Sequence, residues 1–189
     1  MKPLKSYLSR MKSKSQCPPR KPPTKIFWST IGSFLGIYVI GWMGKALADL
    51  DWQDQLFLAG PFGASAVLIY GAPMAEFSQP RNLLLGHLVS ALVGVTAWTF
   101  LPEIDGSPAF QAAAAVSLSI FGMHMLRCLH PPGGATALIA VIGNDRVHAL
   151  GYKYALTPIL AGAMILLMVA ILVNNLSSNP KRHYPVYWY

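Results

Sequence analysis

Arg127 and His130 stand three residues apart at the start of the stretch RCLHPPGGATALIAVIG, residues 127–143. Two prolines, two glycines and an apolar run follow them. A guanidinium and an imidazole at that spacing share one side of a helical chain. Ionisable groups set between apolar stretches mark ion or substrate pathways when a chain crosses a membrane. The break has its own chemistry. Proline at a first helical position gives up no hydrogen bond, and glycine lets the backbone approach a ligand closely. The first N–H groups of the following helix have no partner within it, and in lipid they need one. Such a helix start favours an anion. Thr136, just inside the helix, adds a hydroxyl. Structural readings stand beside these: Arg127 snorkelling to the interface, His130 ending a helix, and Thr136 capping its own helix.

The same pattern occurs twice. GPFGASAVL (60–68) aligns with PPGGATALI (131–139), pairing Pro61 with Pro132, Gly63 with Gly134, Ala64 with Ala135, Ser65 with Thr136 and Ala66 with Ala137. Interrupted short helices in corresponding positions of two halves point to a transporter site; the alternative is small residues that only let helices pack closely. The candidate anion site is therefore Gly63, Ala64, Ser65, Arg127, His130, Gly133, Gly134, Ala135 and Thr136. Arg81 and Asn82, which open QPRNLLLGH, are candidates for an entrance or a plain interfacial anchor. His87, farther along, faces either a cavity or another helix.

Other chemistries find little support. His124 lies one turn before Cys128, which by itself is poor evidence for a metal pair, and Cys17 with Cys128 forms no disulfide or metal spacing. Asp49, Asp51 and Asp54 cluster in a loop, where solvated carboxylates are ordinary. The apolar spans hold no paired carboxylates, no HExxH and no nucleophile elbow. The chain is expected to be neither an enzyme nor a carrier of a metal or cofactor.

The elements that position these residues are membrane helices. The chain of 189 residues is 53% hydrophobic and only 12% charged, about half the charge of a soluble domain. Ile26–Ala48, Asn82–Leu101, Ala109–Cys128 and Tyr154–Asn174 are apolar runs of the length that spans a hydrocarbon core. Leu56–Ala72 and Pro131–Gly143 are shorter. The expected fold is an all-α integral membrane bundle of two inverted three-segment repeats, each with a short broken helix. Its boundaries are a basic, Pro-rich disordered tail (1–25), a membrane domain (26–176, repeat one 26–101 and repeat two 109–176) and an interfacial tail (177–189).

Charge sets the orientation. Residues 1–25 hold eight of the fifteen Lys and Arg and no acid, which fits an arm on an anionic membrane face rather than nucleic-acid binding. Positive charge stays inside, so both termini are expected in the cytoplasm. DLDWQD and PEIDGSP then lie outside if the short segments cross, giving six spans. Re-entrant short segments would give four spans and move Arg81 and Arg127 outside, so the charges favour six. The expected setting is a bacterial inner membrane, with an organelle transit peptide as the alternative.

The blocks GPFGASAVL, QPRNLLLGH, RCLHPPGGATAL and YPVYW, in this order, resemble the HPP family of integral membrane proteins, named for the motif at His130, Pro131 and Pro132. The resemblance covers roughly residues 26–189. It implies nitrite transport, usually with four spans, and in some members a C-terminal CBS domain that this chain is expected to lack. The broken-helix motif and the family resemblance together predict a transporter or channel for a small monovalent anion, nitrite first, with nitrate, formate and chloride as competitors. The rival readings are a membrane scaffold or subunit acting through a partner, and a proton-coupled carrier of a neutral solute with His130 as relay. Expected partners are the anion and membrane lipids. The small residues at 112–115 and 162–163 permit a homo-oligomer.

Overall fold

The computed structural model describes residues 6, 7, 9–11, 15–48, 60–176 and 183–189, the end of the first helix (44–48) by backbone only. The acidic loop at Asp49, Asp51 and Asp54, the start of the first short segment, and Lys181 and Arg182 lie outside these residues. The elements are helices: α1 (Pro23–Ala48), α2 (60–71, closing in a π turn at Val67–Gly71), α3 (Pro80–Phe100), α4 (Ala109–Met125), α5 (Pro132–Ile142), the short α6 (Asp145–Ala149) and α7 (Ala155–Asn175).

Among the described residues, three stretches are long and apolar enough to cross a membrane: Pro23–Met43 in α1, Pro80–Phe100 in α3 and Ala155–Asn175 in α7. The fourth long run ends early. α4 has 17 residues, a rise of about 25 Å, because the chain turns sharply after Met125. There Arg127 N–H donates to His124 O (3.1 Å) and Cys128 N–H to Met123 O (2.9 Å). This is the Schellman pattern, with Arg127 in the left-handed position at φ +53° where glycine is usual.

The helices are arranged for lipid. α3 buries Asn82, Gly86, His87, Ser90 and Gly94 and exposes Leu85, Leu92 and Phe100. α7 buries Gly162, Ala163 and Asn174 and exposes Met164, Met168 and Leu172. Polar and small residues inside with large apolar ones outside is what a membrane interior requires.

α3 packs along both α4 and α5. Its stripe Asn82, Gly86, Ser90, Gly94 repeats every four residues and faces the chain that enters and forms α5. Asn82 Nδ2 donates to Leu129 O (2.9 Å). A Cβ on Gly86 would lie 2.5 Å from His130 Cβ, one on Gly133 2.6 Å from Ser90 Oγ, and one on Gly94 2.6 Å from Ala137 O. Farther along, the rings of Trp98 and His148 stack 3.7 Å apart. α5 alone rises only about 16 Å for its 11 residues. Its extended lead-in makes up the rest, so residues 127–148 run beside nearly the whole of α3.

α7 runs the opposite way. Thr96 Oγ1 meets Tyr152 Oη near its start, and Asn174 Nδ2 donates to Ile69 O near its end. α2 runs parallel to α7, with Phe62 against Gly162 and the Tyr70 hydroxyl donating to Leu166 O (3.1 Å). Tyr70 also fills the space beside Gly32 and Gly36 of α1, and Ser29 Oγ donates to Tyr70 O. The start of α1, the end of α2, the start of α3, the end of α4 and the end of α7 therefore gather at one face. Arg81 and Arg127 lie there.

Candidate functional site

Seven residues into α3, about 10 Å along its axis, His87 meets both copies of the repeated motif. Its Nε2 is 2.8 Å from Ser65 Oγ of α2, and its Nδ1 is 2.8 Å from Thr136 Oγ1 of α5. The paired hydroxyls of the two motifs thus bind opposite nitrogens of one imidazole. Ser65 Oγ is also 2.8 Å from His130 Nε2, and His130 Nδ1 is 2.7 Å from Phe77 O. All four side chains are fully buried, at 0% exposure. The two imidazole rings meet edge to face with centroids 4.9 Å apart.

Hydrogen-bond arithmetic fixes the direction of this chain. A carbonyl only accepts, so His130 Nδ1 carries the proton and donates to Phe77. The Nε2 of a neutral His130 then accepts from Ser65. Ser65 in turn accepts from His87 Nε2–H, which leaves His87 Nδ1 to accept from Thr136. Every donor and acceptor is used once along the line Thr136, His87, Ser65, His130, Phe77. Ser65 Oγ has a second acceptor in reach, Pro61 O at 3.0 Å.

The surrounding elements hold these groups by close contact. Gly86 and Gly133 let α3 approach the His130 segment without a side chain between them. Met123 Sδ of α4 lies 3.5 Å from His130 N and 3.8 Å from Ser90 Oγ. The Phe62 ring covers His87 at 5.5 Å, and the Tyr154 hydroxyl donates to Thr136 O. Phe77 is carried by the 72–79 connection. That loop is tied down by Ser78 Oγ, in reach of Leu68 O and Ala72 O, and by Gln79 Nε2, which donates to Pro73 O and Ala75 O.

The expected cradle differs from what is found. Gly133 N–H donates to His130 O (2.8 Å) and Gly134 N–H to Pro131 O (3.0 Å), so these donors close the turn. Ser65 and Thr136 turn inward to imidazoles. Gly63 has open space around it, and Ala64 is exposed. Gly134 and Ala135 are half-buried. Arg127, expected beside the cradle, is exposed and outside the buried cluster. Asn82 is buried and ties α3 to Leu129 O, and the Arg81 guanidinium reaches Leu126 O at 2.8 Å.

Arg127 and Arg81 meet instead at the face above. With Met74, Glu76, Tyr187 and Tyr189 they line a depression of about 440 Å³. Arg81 Nε is buried there with no hydrogen-bond partner among the described residues. A second depression, of about 340 Å³, has Arg127, His124 and Glu76 on its walls together with Phe77, Met123 and Leu129. The last three are the groups that hold His130. The C-terminal residues strap across this mouth. Tyr184 O–H donates to Ser78 O (2.7 Å), Tyr184 N–H to Asn175 Oδ1 (3.0 Å), and Val186 N–H to Gln79 Oε1 (2.8 Å). Burial and the Glu76 carboxylate push the Tyr187 phenol up, while the Arg81 and Arg127 guanidiniums pull it back down.

Sequence reasoning placed His130, Ser65 and Thr136 in one site but left His87 undecided and missed Phe77, Met123, Glu76 and Tyr187. The four-residue stripe on α3 was the available signal for His87. It identifies the face that packs against the second motif, and His87 lies beside it.

The family model described as HPP, transmembrane region, matches residues 18–185. A transmembrane protein of Dictyostelium discoideum is 40% identical over 183 residues, covering 97% of this chain and 57% of that protein. A second from the same organism is 43% identical over 186 residues, covering 98% and 63%. The chain spans about three fifths of the length of these curated relatives. No solved structure matches.

Proposed function

The chain belongs to the HPP transmembrane family, and from that membership we propose that it is a transporter for a small monovalent anion, with nitrite the first candidate. One observation carries the reading: Arg127 sits in a left-handed conformation on the wall of a depression also lined by Phe77, Met123 and Leu129, the groups that hold the buried His130. An L-residue there costs roughly 1–2 kcal/mol, and the exposed side chain gains no packing in return. Backbone strain of this kind concentrates at functional sites. Arg127 and Arg81 draw an anion to the mouth, and Phe77, Met123 and Leu129 separate it from His130. Nitrite is compact and carries two acceptor oxygens, which suit guanidinium donors.

The opposed directions of α2 and α5, and of α3 and α7, support the reading of two inverted halves. The meeting of Ser65 and Thr136 on His87 supports a site centred at their junction. Arg81, Arg127 and the start of α1 share one face, which supports six crossings with that face in the cytoplasm. The two relatives come from Dictyostelium discoideum and lend no support to a bacterial setting. The reading includes neither an enzyme activity nor a metal or cofactor.

The test is nitrite uptake into liposomes holding the purified chain, with nitrate, formate and chloride as competitors. The expected result is uptake above protein-free liposomes, several-fold lower in Arg127→Gly. Absence of uptake for every anion, from folded protein under an imposed gradient, would favour a scaffold acting through a partner.

A further inference from the structure

We propose that the chain Thr136–His87–Ser65–His130 is a proton carrier, and that each anion moves with one proton. The inference rests on the anion-transport reading above and names its coupling ion. The geometry supplies three things. The chain is continuous, with links of 2.8 Å between every pair of side chains. Its direction is set by the Phe77 carbonyl, which cannot donate. Its middle member has a spare acceptor, Pro61 O.

The proton bookkeeping closes without moving a heavy atom. A proton delivered to Thr136 Oγ1 releases the Thr136 proton to His87 Nδ1. His87 passes its Nε2 proton to Ser65, and Ser65 passes its own to His130 Nε2. His130 then holds both ring protons and donates to Ser65 Oγ and Phe77 O. His87 has exchanged tautomers, and its Nδ1–H donates to Thr136. Ser65 accepts from His130 and donates either to His87 Nε2, now a lone pair, or to Pro61 O. One proton has entered and one imidazolium has formed, directly beneath the floor of the depression that Arg127 lines. That charge is balanced by one monovalent anion.

Among the described residues, no fixed charge bonds to either imidazole. The groups packed on the two imidazoles are Ser65 and Phe62 from α2, Met123 from α4, Thr136 from α5 and the Phe77 carbonyl from the connecting loop. Tyr154 of α7 reaches only the Thr136 carbonyl, and the Cys128 carbonyl lies beside Gly86. Glu76, Arg81, Arg127 and His124 line the depressions on the far side of the floor. Among the described residues, every hydrogen-bond partner of the imidazoles is neutral. Among the described residues no carboxylate bonds to either imidazole, so the charge of a proton taken up here is left for an anion to balance.

The experiment separates coupling from transport. Nitrite uptake is measured in liposomes clamped at inside-positive and inside-negative potentials, with and without a pH gradient, after subtraction of protein-free liposomes. An uncoupled anion would accumulate about 50-fold for each 100 mV inside-positive. One-to-one movement with a proton carries no net charge. We therefore expect uptake independent of voltage and about tenfold greater accumulation for each unit of inside-alkaline pH, since the proton ratio changes tenfold. His87→Gln and His130→Gln should lose the response to pH; any uptake they retain should follow voltage. Wild-type uptake that follows voltage would overturn the coupling and leave anion transport standing. A pH response retained in both variants would overturn the role of this chain. No uptake of any anion would remove both readings. The wild-type voltage measurement decides the matter even if the variants fold poorly.

Discussion

The two copies of the motif reach the same imidazole from opposite sides, yet they are built differently around it. In the second copy, Gly133 presses on Gly86 and Ser90, and a Cβ would lie 2.6 Å from Ser90 Oγ. In the first, the matching position is Phe62, whose ring fills the space at Gly162 and covers His87. The glycine the copies share behaves alike in both: Gly63 meets nothing within 4 Å, and a Cβ on Gly134 would meet only Val116, at 3.8 Å. The charged neighbours belong to one copy. Arg127 and His130 precede the second motif, where the first has Leu56 and Ala59. Aligned residues need not do the same work. Both hydroxyls meet His87 and Ser65 alone also meets His130, close packing and charge are concentrated in the second copy, and the first contributes an aromatic cover.

The sharpest way to break this comparison is at the glycines. Gly133→Val should cost about 3 kcal/mol or more by overpacking against backbone and Ser90, read as a fall in thermal unfolding temperature in detergent. Gly63→Ala should be neutral or stabilising by up to about 1 kcal/mol, since alanine is the better helix former. Equal losses at the two positions would remove the asymmetry. The hydroxyls come next. Ser65→Ala and Thr136→Val should each cost about 1–2 kcal/mol by leaving a buried imidazole nitrogen short of a partner. The double variant should lose less than the sum, by at least about 0.5 kcal/mol, because both act on one network. Strict additivity in denaturation would argue that His87 does not join them.

Arg127→Gly should raise stability by about 1 kcal/mol, the left-handed strain relieved less the added entropy of glycine. Its nitrite uptake should fall all the same. A variant more stable and less active would separate the charge of Arg127 from the turn it occupies. Tyr187→Phe should shift stability by less than about 0.5 kcal/mol, because its hydroxyl contacts are long, at 3.5 Å.

Much of this architecture is legible in the residues. Low charge and apolar runs specify the membrane class, and the runs at 82–101 and 154–174 correspond closely to α3 and α7. The repeated motif pairs Ser65 with Thr136, and both hydroxyls meet His87. What they bind was not legible, because a hydroxyl near a helix start looks the same whether it faces a ligand or a histidine from another helix. The short α4 was hidden for a different reason. Hydropathy continues through Cys128, and only the left-handed turn at Arg127, an unusual residue for that position, ends the helix. The C-terminal residues show the same limit: YPVYW suits the headgroup region, but its anchors Ser78 and Gln79 lie far away in sequence.

That strap has a practical consequence for anyone preparing the protein. Tyr189 stands on the rim of the depression lined by Arg81 and Arg127, so an affinity handle or fluorescent fusion added after it would emerge directly over the mouth. A dye placed there becomes a local reporter of what occupies the depression. A bulky fusion placed there obstructs it.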